Sequence, residues 1–228
     1  MTRIIFHVEG QTEEEFVKEA LATHLYDTGF TSVSARIVGN SRLRKRRGGI
    51  CAWSTVRQEI YRHLSNDIEA YASKIVDFYA LPATGPNGWP GRATCGGLNV
   101  EDKANHICEM IVEDLAHHHG REIANRFIPY IAMHEFEGLL FSDPIAMARG
   151  MALEGMGPQF QRIRDAFPTP EHINDSPMTA PSKRIIKLVP GYQKVLYGNL
   201  AAIEVTLQRM REECPVFRGW LQKIEALQ

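Results

Sequence analysis

Four acids stand where an apolar run gives way to a turn or helix, the place beyond strand ends at which α/β proteins hold their ligands. Glu9 follows the run at 3–8, Asp77 lies near the end of KIVDFY (74–79), and Glu135 and Glu137 follow FIPYIAM (127–133). Taken singly, such a carboxylate is commonly a solvated side chain or a helix cap. Gathered on one rim, carboxylates repel one another, and a cation is needed to offset their charge. Three or four carboxylate groups suit Mg2+ or Mn2+, which keep waters and accept phosphate oxygens. An ion of that kind activates water and stabilises the charge that develops on a phosphodiester. Glu9, Asp77, Glu135 and Glu137 are therefore candidate metal ligands, and Glu9, Asp77 and Glu135 candidate catalytic groups.

A second constellation is basic. Between Arg36 and Arg47 lie Arg42, Arg44, Lys45 and Arg46, with no acid among them. Guanidinium forks match phosphate oxygens, so the segment points to nucleic acid through Arg42, Arg44, Lys45, Arg46 and Arg47. The same composition also suits a solvated loop or a docking surface for an acidic protein. A sparser basic stretch holds Lys183, Arg184, Lys187 and Lys194. There Ser182 with Lys183 and Arg184 could hold a phosphate, although an exposed strand edge fits the same residues.

Other signals carry less. His117-His118-His119 suits the negative end of a helix dipole better than a metal. His134-Glu135 does not continue to H-E-x-x-H, and no G-x-x-x-x-G-K-[ST] occurs, so neither zincin nor P-loop chemistry is expected. Trp53, Trp89 and Trp220 read as core or loop anchors, with Trp89 the one placed to stack on a base.

The elements that must position these groups alternate. The strand at 3–8 meets a turn at Gly10. Thr12-Glu13-Glu14-Glu15 then reads as a capping box, with Thr12 as N-cap, opening a helix to about Tyr26. A strand at 33–38 and the basic segment closing on Gly48-Gly49 follow. Val56, Ile60, Leu64 and Ile68 space a second helix, and 74–79 is a short buried strand. Residues 81–98 hold three prolines and five glycines and form a long loop. Asn99 with Asp102 caps a third helix facing inward through Ile107, Ile111 and Leu115, and 127–133 is a fourth strand. The proline-rich stretch 168–190 reads as loop, and helices at about 201–211 and 216–226 close the chain. Alternation of this kind predicts an α/β fold with a mainly parallel sheet flanked by helices, followed by a small helical C-terminal extension.

Several of these segments resemble a known family. VEGQTEEEFV (8–17) is similar to the first motif of Toprim domains, in which a strand ends in Glu-Gly before a helix. EGQTEEEFV, Gly48-Gly49, DFYALP (77–82), HEFEGLLFSDP (134–144) and APSKRI (180–185) together resemble the bacterial domain-of-unknown-function 4276 family, in family order and across nearly the whole chain. The resemblance implies a Toprim-like domain over 1–150, with 151–228 a loop and helical extension packed on it. It implies Glu9 as metal ligand or general acid/base, Asp77 as metal ligand, and an AAA-type ATPase partner in bacterial defence or repair. The usual Toprim D-x-D reads Asp77-Phe78-Tyr79 here, leaving Glu135 or Glu137 to replace the second acid. The expected function is a Mg2+- or Mn2+-dependent nuclease or phosphoryl-transfer enzyme acting on nucleic acid. The alternative is a non-catalytic module that binds nucleic acid or the ATPase.

Composition agrees with a globular protein. Hydrophobic residues make up 44% and charged residues 23%, which excludes a disordered or collagen-like chain. Cys51, Cys95, Cys108 and Cys214 form no C-x-x-C pair, so reduced thiols are expected. The start MTRIIFHVEG is too briefly apolar for a signal peptide, and no run approaches the roughly 18 apolar residues of a membrane span, so a cytoplasmic protein away from membranes is expected. The net charge of −1, from 26 basic and 27 acidic residues, conceals the segregation of acids from the basic segment.

Overall fold

The computed structural model describes residues 1–38, 51–174 and 178–228. Four parallel strands, β1 (Arg3–Val8), β2 (Ser32–Ile37), β3 (Ala70–Asp77) and β4 (Phe127–Ala132), form one sheet in the order β2-β1-β3-β4. Strand side chains point alternately to the two faces. Ile4, Phe6, Val8, Ile75, Tyr130 and Ala132 enter one core, while Ala72, Val76, Phe127 and Ile131 enter the other. Both faces are apolar because both are covered by helices, as parallel sheets require.

The helical segment after β1 covers the first face. It comprises α1 (Gln11–Phe16), a π-helical turn at Val17–Leu21 and α2 (Ala22–Asp27), and it buries Phe16, Val17, Leu21 and Leu25. The second face is covered by α3 (Trp53–Asn66) through Val56, Ile60 and Leu64, and by α4 (Val100–His119) through Ile107, Ile111 and Leu115. Chains leaving the adjacent strands β1 and β3 therefore go to opposite faces. That arrangement opens a crevice at the strands' carboxyl ends, the usual ligand position in such sheets. Glu9 and Asp77 flank it.

The described residues after β4 supply only helical elements, among them α6 (Pro144–Gly150), α7 (Gly157–Arg164), α8 (Pro181–Leu188), α9 (Lys194–Val205), α10 (Leu207–Glu213) and α11 (Pro215–Glu225), with the short α5 (Arg121–Ala124) preceding β4. Met147, Phe160, Ala201, Phe217 and Trp220 share the core of Ile4 and Phe6. Trp220 stacks on Tyr130 at 4.6 Å and donates from Nε1 to Ser73 Oγ at 3.1 Å, tying α11 to β3 and β4. Gly150 lets α6 approach α9: a Cβ there would stand 2.6 Å from the Leu200 carbonyl oxygen. Among the described residues, all four cysteines are free thiols, and no helix is long and apolar enough to cross a membrane.

Several elements differ from expectation. The first helix begins at Gln11 with Gly10 at the N-cap, and Thr12 is a buried residue inside it that makes no capping bond. Extended Gly10 already supplies the carbonyl that accepts from Glu14 N at 3.1 Å, so the helix starts before the hydroxyl can cap it. Ile68 lies beyond α3 and is 80% exposed, because the helix stops at Asn66 and the chain turns into β3. β3 begins four residues before Lys74, its start set by pairing with β1 rather than by an apolar pattern. Residues 168–190 are not all loop: Pro181 occupies the first turn of α8, where its missing N–H has no intrahelical partner to lose. The closing helices number three, since α9 runs from Lys194 to Val205 and the φ of 73° at Thr206 separates it from α10. Trp89 is 3% exposed, donates to the Cys51 carbonyl at 3.1 Å and packs on Trp53, so it anchors the long loop and offers no face to a base.

Candidate functional site

The carboxyl edge of β1, β3 and β4 gathers charge of both signs. Glu9 continues β1, and Glu13, in the first turn of α1, is 7% exposed. The turn between them is tight: a Cβ on Gly10 would sit 3.3 Å from Glu13 Oε2. Asp77 closes β3, and its Oδ1 accepts the Phe136 backbone N–H at 2.9 Å, which fixes that carboxylate against the segment after β4. Glu137, in the 3-10 helix Phe136–Ser142, is fully buried.

Two lysines answer these acids. Lys74, in the middle of an apolar strand and 1% exposed, donates to the Ile75 carbonyl at 2.8 Å and lies 3.8 Å from Glu9 Oε1. Lys194, the first residue of α9, places Nζ 3.0 Å from Glu137 Oε2 and 3.9 Å from Asp77 Oδ2. The far oxygen of Glu137, Oε1, meets no hydrogen-bond donor among the described residues.

The electrostatics follow from this crowding. Burial raises the Asp77 pKa well above the usual carboxylate range; Lys194 opposes the shift, while Glu13, Glu137 and Glu9 add to it. Burial likewise raises Glu137, against Lys194 and with Glu135. Burial works against the Lys194 ammonium, but Glu137, Asp77 and Glu13 more than compensate and its pKa rises. Lys74 goes the other way, burial outweighing the pull of Glu9 and Glu13. Among the described residues, two lysines thus face four acids, Glu9, Glu13, Asp77 and Glu137, in a poorly solvated crevice.

Of the acids singled out from the sequence, Glu9, Asp77 and Glu137 act on one another at this edge. Glu135 turns aside, its Oε2 accepting the Ser182 N–H at 3.0 Å. That bond gives the first turn of α8 to a carboxylate of this chain, the position where Ser182 was expected to help hold a phosphate. Lys183 is exposed on α8, a helix rather than a loop or strand edge. Arg184 faces inward, donating from Nε to the Thr179 carbonyl at 2.7 Å and lying 5.0 Å over the Phe167 ring. Arg42, Arg44, Lys45, Arg46 and Arg47 lie outside the described residues. Among the described residues, no three acidic, histidine or cysteine side chains already converge as a metal-binding group.

Lys74 joins the site without having been singled out, while Glu13 was read only as part of a capping box and Lys194 only as part of the sparser basic stretch. Glu13 follows Glu9 by four residues but sits within three successive glutamates, so nothing separated it from a helix's ordinary acidic first turn. Lys74 carried a signal, since a lysine inside an apolar strand must find a buried partner. Lys194 carried none, because only the packing of α9 against α1 and α6 brings it here.

A family model described as a domain of unknown function (DUF4276) matches residues 8–225. The chain belongs to the DUF4276 family. That match spans all the site residues of this DUF4276 protein, from Glu9 to Lys194. Among solved structures, the C-terminal region of the Burkholderia pseudomallei OLD protein is similar at 16% identity and a TM-score of 0.45, covering 99% of this chain and 98% of that one. Comparison with curated proteins gives no match.

Proposed function

We propose that this DUF4276 protein is a Toprim-like, divalent-cation-dependent nuclease or related phosphoryl-transfer enzyme of the cytoplasm, acting on nucleic acid. One observation carries the reading: fully buried Glu137 and the neighbouring Asp77 share a single ammonium, Lys194, while Glu9 and Glu13 press further negative charge on Asp77. Among the described residues these carboxylates outnumber the ammonium groups beside them, Glu137 keeps an oxygen without a donor, and together they form an all-oxygen set whose chemistry fits Mg2+ or Mn2+. Glu9, Asp77 and Glu137 would hold the ion, with Glu135 beside them. When bound, it would supply Lewis acidity and a more acidic water.

The chain's own groups do the rest. The Phe136 N–H orients Asp77, the Ser182 N–H orients Glu135, and Lys74 balances Glu9 from beneath the crevice. The basic segment holding Arg42, Arg44, Lys45, Arg46 and Arg47, with exposed Lys183, would track the phosphate backbone, and an AAA-type ATPase would be the partner. Incubating purified protein with plasmid, linear DNA and RNA in Mg2+ or Mn2+ tests the reading. Cleavage lost in Glu9→Gln and Asp77→Asn supports it; cleavage that survives both removes these residues from the chemistry.

A second reading has its own observation. Lys194 already stands between Asp77 and Glu137, and Tyr79 stands where D-x-D places a second acid. On that basis the site would be a degenerate one, in a module that binds nucleic acid or an ATPase. Calorimetry finding salt-sensitive DNA binding without binding of Mg2+ or Mn2+ would favour it.

A further inference from the structure

The two ammonium groups at the acidic edge are held in different ways. Lys74 is locked: its side chain is 2% exposed and hydrogen-bonded to the Ile75 carbonyl within β3. Lys194 is 38% exposed and begins a helix, so its side chain has somewhere to go. It lines an open groove of about 780 Å³ between α1 and α9, together with Gln11, Glu14, Glu15, Glu19 and Asn199. Of that groove's acids, Glu14 and Glu15 already hold Lys18 at 3.4 and 3.2 Å, which shows they receive an ammonium group readily.

Its present position is also distinctive. Lys194 Nζ stands between Glu137 and Asp77, two of the carboxylates assigned above to a divalent cation. An ammonium tethered between Glu137 Oε2 and Asp77 Oδ2 competes with a divalent cation for the same two carboxylates, since the two positive charges repel strongly in a poorly solvated crevice. We propose that Lys194 is an exchangeable counter-ion: it holds the Asp77–Glu137 pair in the metal-free protein and withdraws into the α1–α9 groove when the cation binds. The inference rests on the metal-binding reading and adds to it a competitor built into the chain. Metal affinity is then set by the carboxylates less the hold of Lys194, and occupancy is reported to the start of α9.

Two measurements test this, both using Mn2+ as the probe. Calorimetric titration of the wild type, Lys194→Met and Lys194→Arg should give about tenfold tighter Mn2+ binding for Lys194→Met, and near wild-type binding for Lys194→Arg, which keeps the charge. The second needs no variant. Brief acetylation of the wild type at constant pH, read by mass spectrometry, should label Lys194 several-fold faster with saturating Mn2+ than without, while buried Lys74 stays unlabelled. If the wild type binds Mn2+ but Lys194→Met binds no tighter, or Lys194 labelling does not rise, the exchange is refuted and the metal-binding reading stands. If neither wild type nor variants bind Mn2+, both fall.

Discussion

His7, two residues before Glu9, makes the fold acid-sensitive by an amount that can be worked out. It is fully buried in β1, with Nε2 2.6 Å from His63 Nδ1, and Arg36 Nη1 lies 3.2 Å from His63 Nε2. Arginine can only donate, so His63 Nε2 must accept; neutral His63 then carries its proton on Nδ1 and donates to His7 Nε2. A proton added to either ring would set two donors facing each other. Burial is the largest cause and holds the His7 pKa down to about 3, with His63, Lys74 and Arg36 adding to it. Because the folded value is lowered, the unfolded chain binds the extra proton first. Stability is therefore full above pH 6.5 and lost as pH falls toward 3. The loss is about 2 kcal/mol at pH 5 and approaches about 5 kcal/mol below pH 3. Urea unfolding of wild type and His7→Phe at pH 7.5 and 5.0 isolates the effect from other titrating groups. The wild type should lose about 2 kcal/mol more than the variant between the two pH values, or about 4–8 °C in Tm for a chain of this size. Equal losses would refute the argument, as would an NMR titration placing the His7 pKa near 6.

Other outcomes are equally specific. Glu171, 1% exposed, accepts the Val216 and Phe217 N–H groups at the head of α11, yet burial raises its pKa to about 7. A raised carboxylate costs stability as pH climbs through the folded value, so urea unfolding of Glu171→Gln should show it gaining about 3 kcal/mol on the wild type from pH 4.5 to 8. Glu9→Gln should weaken Mn2+ binding by at least about 100-fold in calorimetry, with the circular dichroism spectrum unchanged. Gly150→Ala should destabilise the fold by about 1–3 kcal/mol in thermal unfolding, since its methyl would press on the Leu200 carbonyl of α9. Replacing Arg44, Lys45, Arg46 and Arg47 with alanine should flatten the slope of log K against log salt for duplex DNA by about 3–4, and an unchanged slope would place the phosphate contacts elsewhere.

The sheet was legible because its strands are short apolar runs, as a sheet covered on both faces requires, and the helices because their buried residues follow period 3.6. Ile60 and Ile111 lie where the spacing placed them, and Asn99 caps α4 by accepting from Asp102 N at 2.8 Å. What misled was local chemistry overruled by tertiary context. Thr12 has a cap's identity, but it lies two residues too deep once Gly10 opens the helix. The prolines of 168–190 suggested a loop, yet Pro181 starts α8, whose first N–H groups then meet Glu135. Glu135 and Glu137 looked equivalent in sequence, and only the 3-10 turn at Phe136 separates them, sending one to Ser182 and the other to Lys194. Lys194 was beyond reach, because its position is a property of how α9 packs and not of its neighbours in the chain.

The acidic edge also bears on why so unfavourable an arrangement persists. Replacing a buried ion pair with apolar residues is often neutral or stabilising, so charge gathered in a crevice is weak support for stability. Here Asp77 and Glu137 are held in ionisation environments that burial and like charge both oppose, with two lysines against four acids among the described residues. The backbone nevertheless accommodates them: Phe136 N–H is committed to Asp77, Ser182 N–H to Glu135, and Gly10 leaves room beside Glu13. A fold needing only stability would place apolar side chains at these strand ends, as it does at Val8 and Ala132 one position earlier or opposite. Stabilisation by an Asp77→Asn or Glu137→Gln substitution that also abolishes Mn2+ binding would show that the charge serves the site at the expense of the fold. Destabilisation by both would instead make the acids and Lys194 structural, and would shift the balance toward the non-catalytic reading.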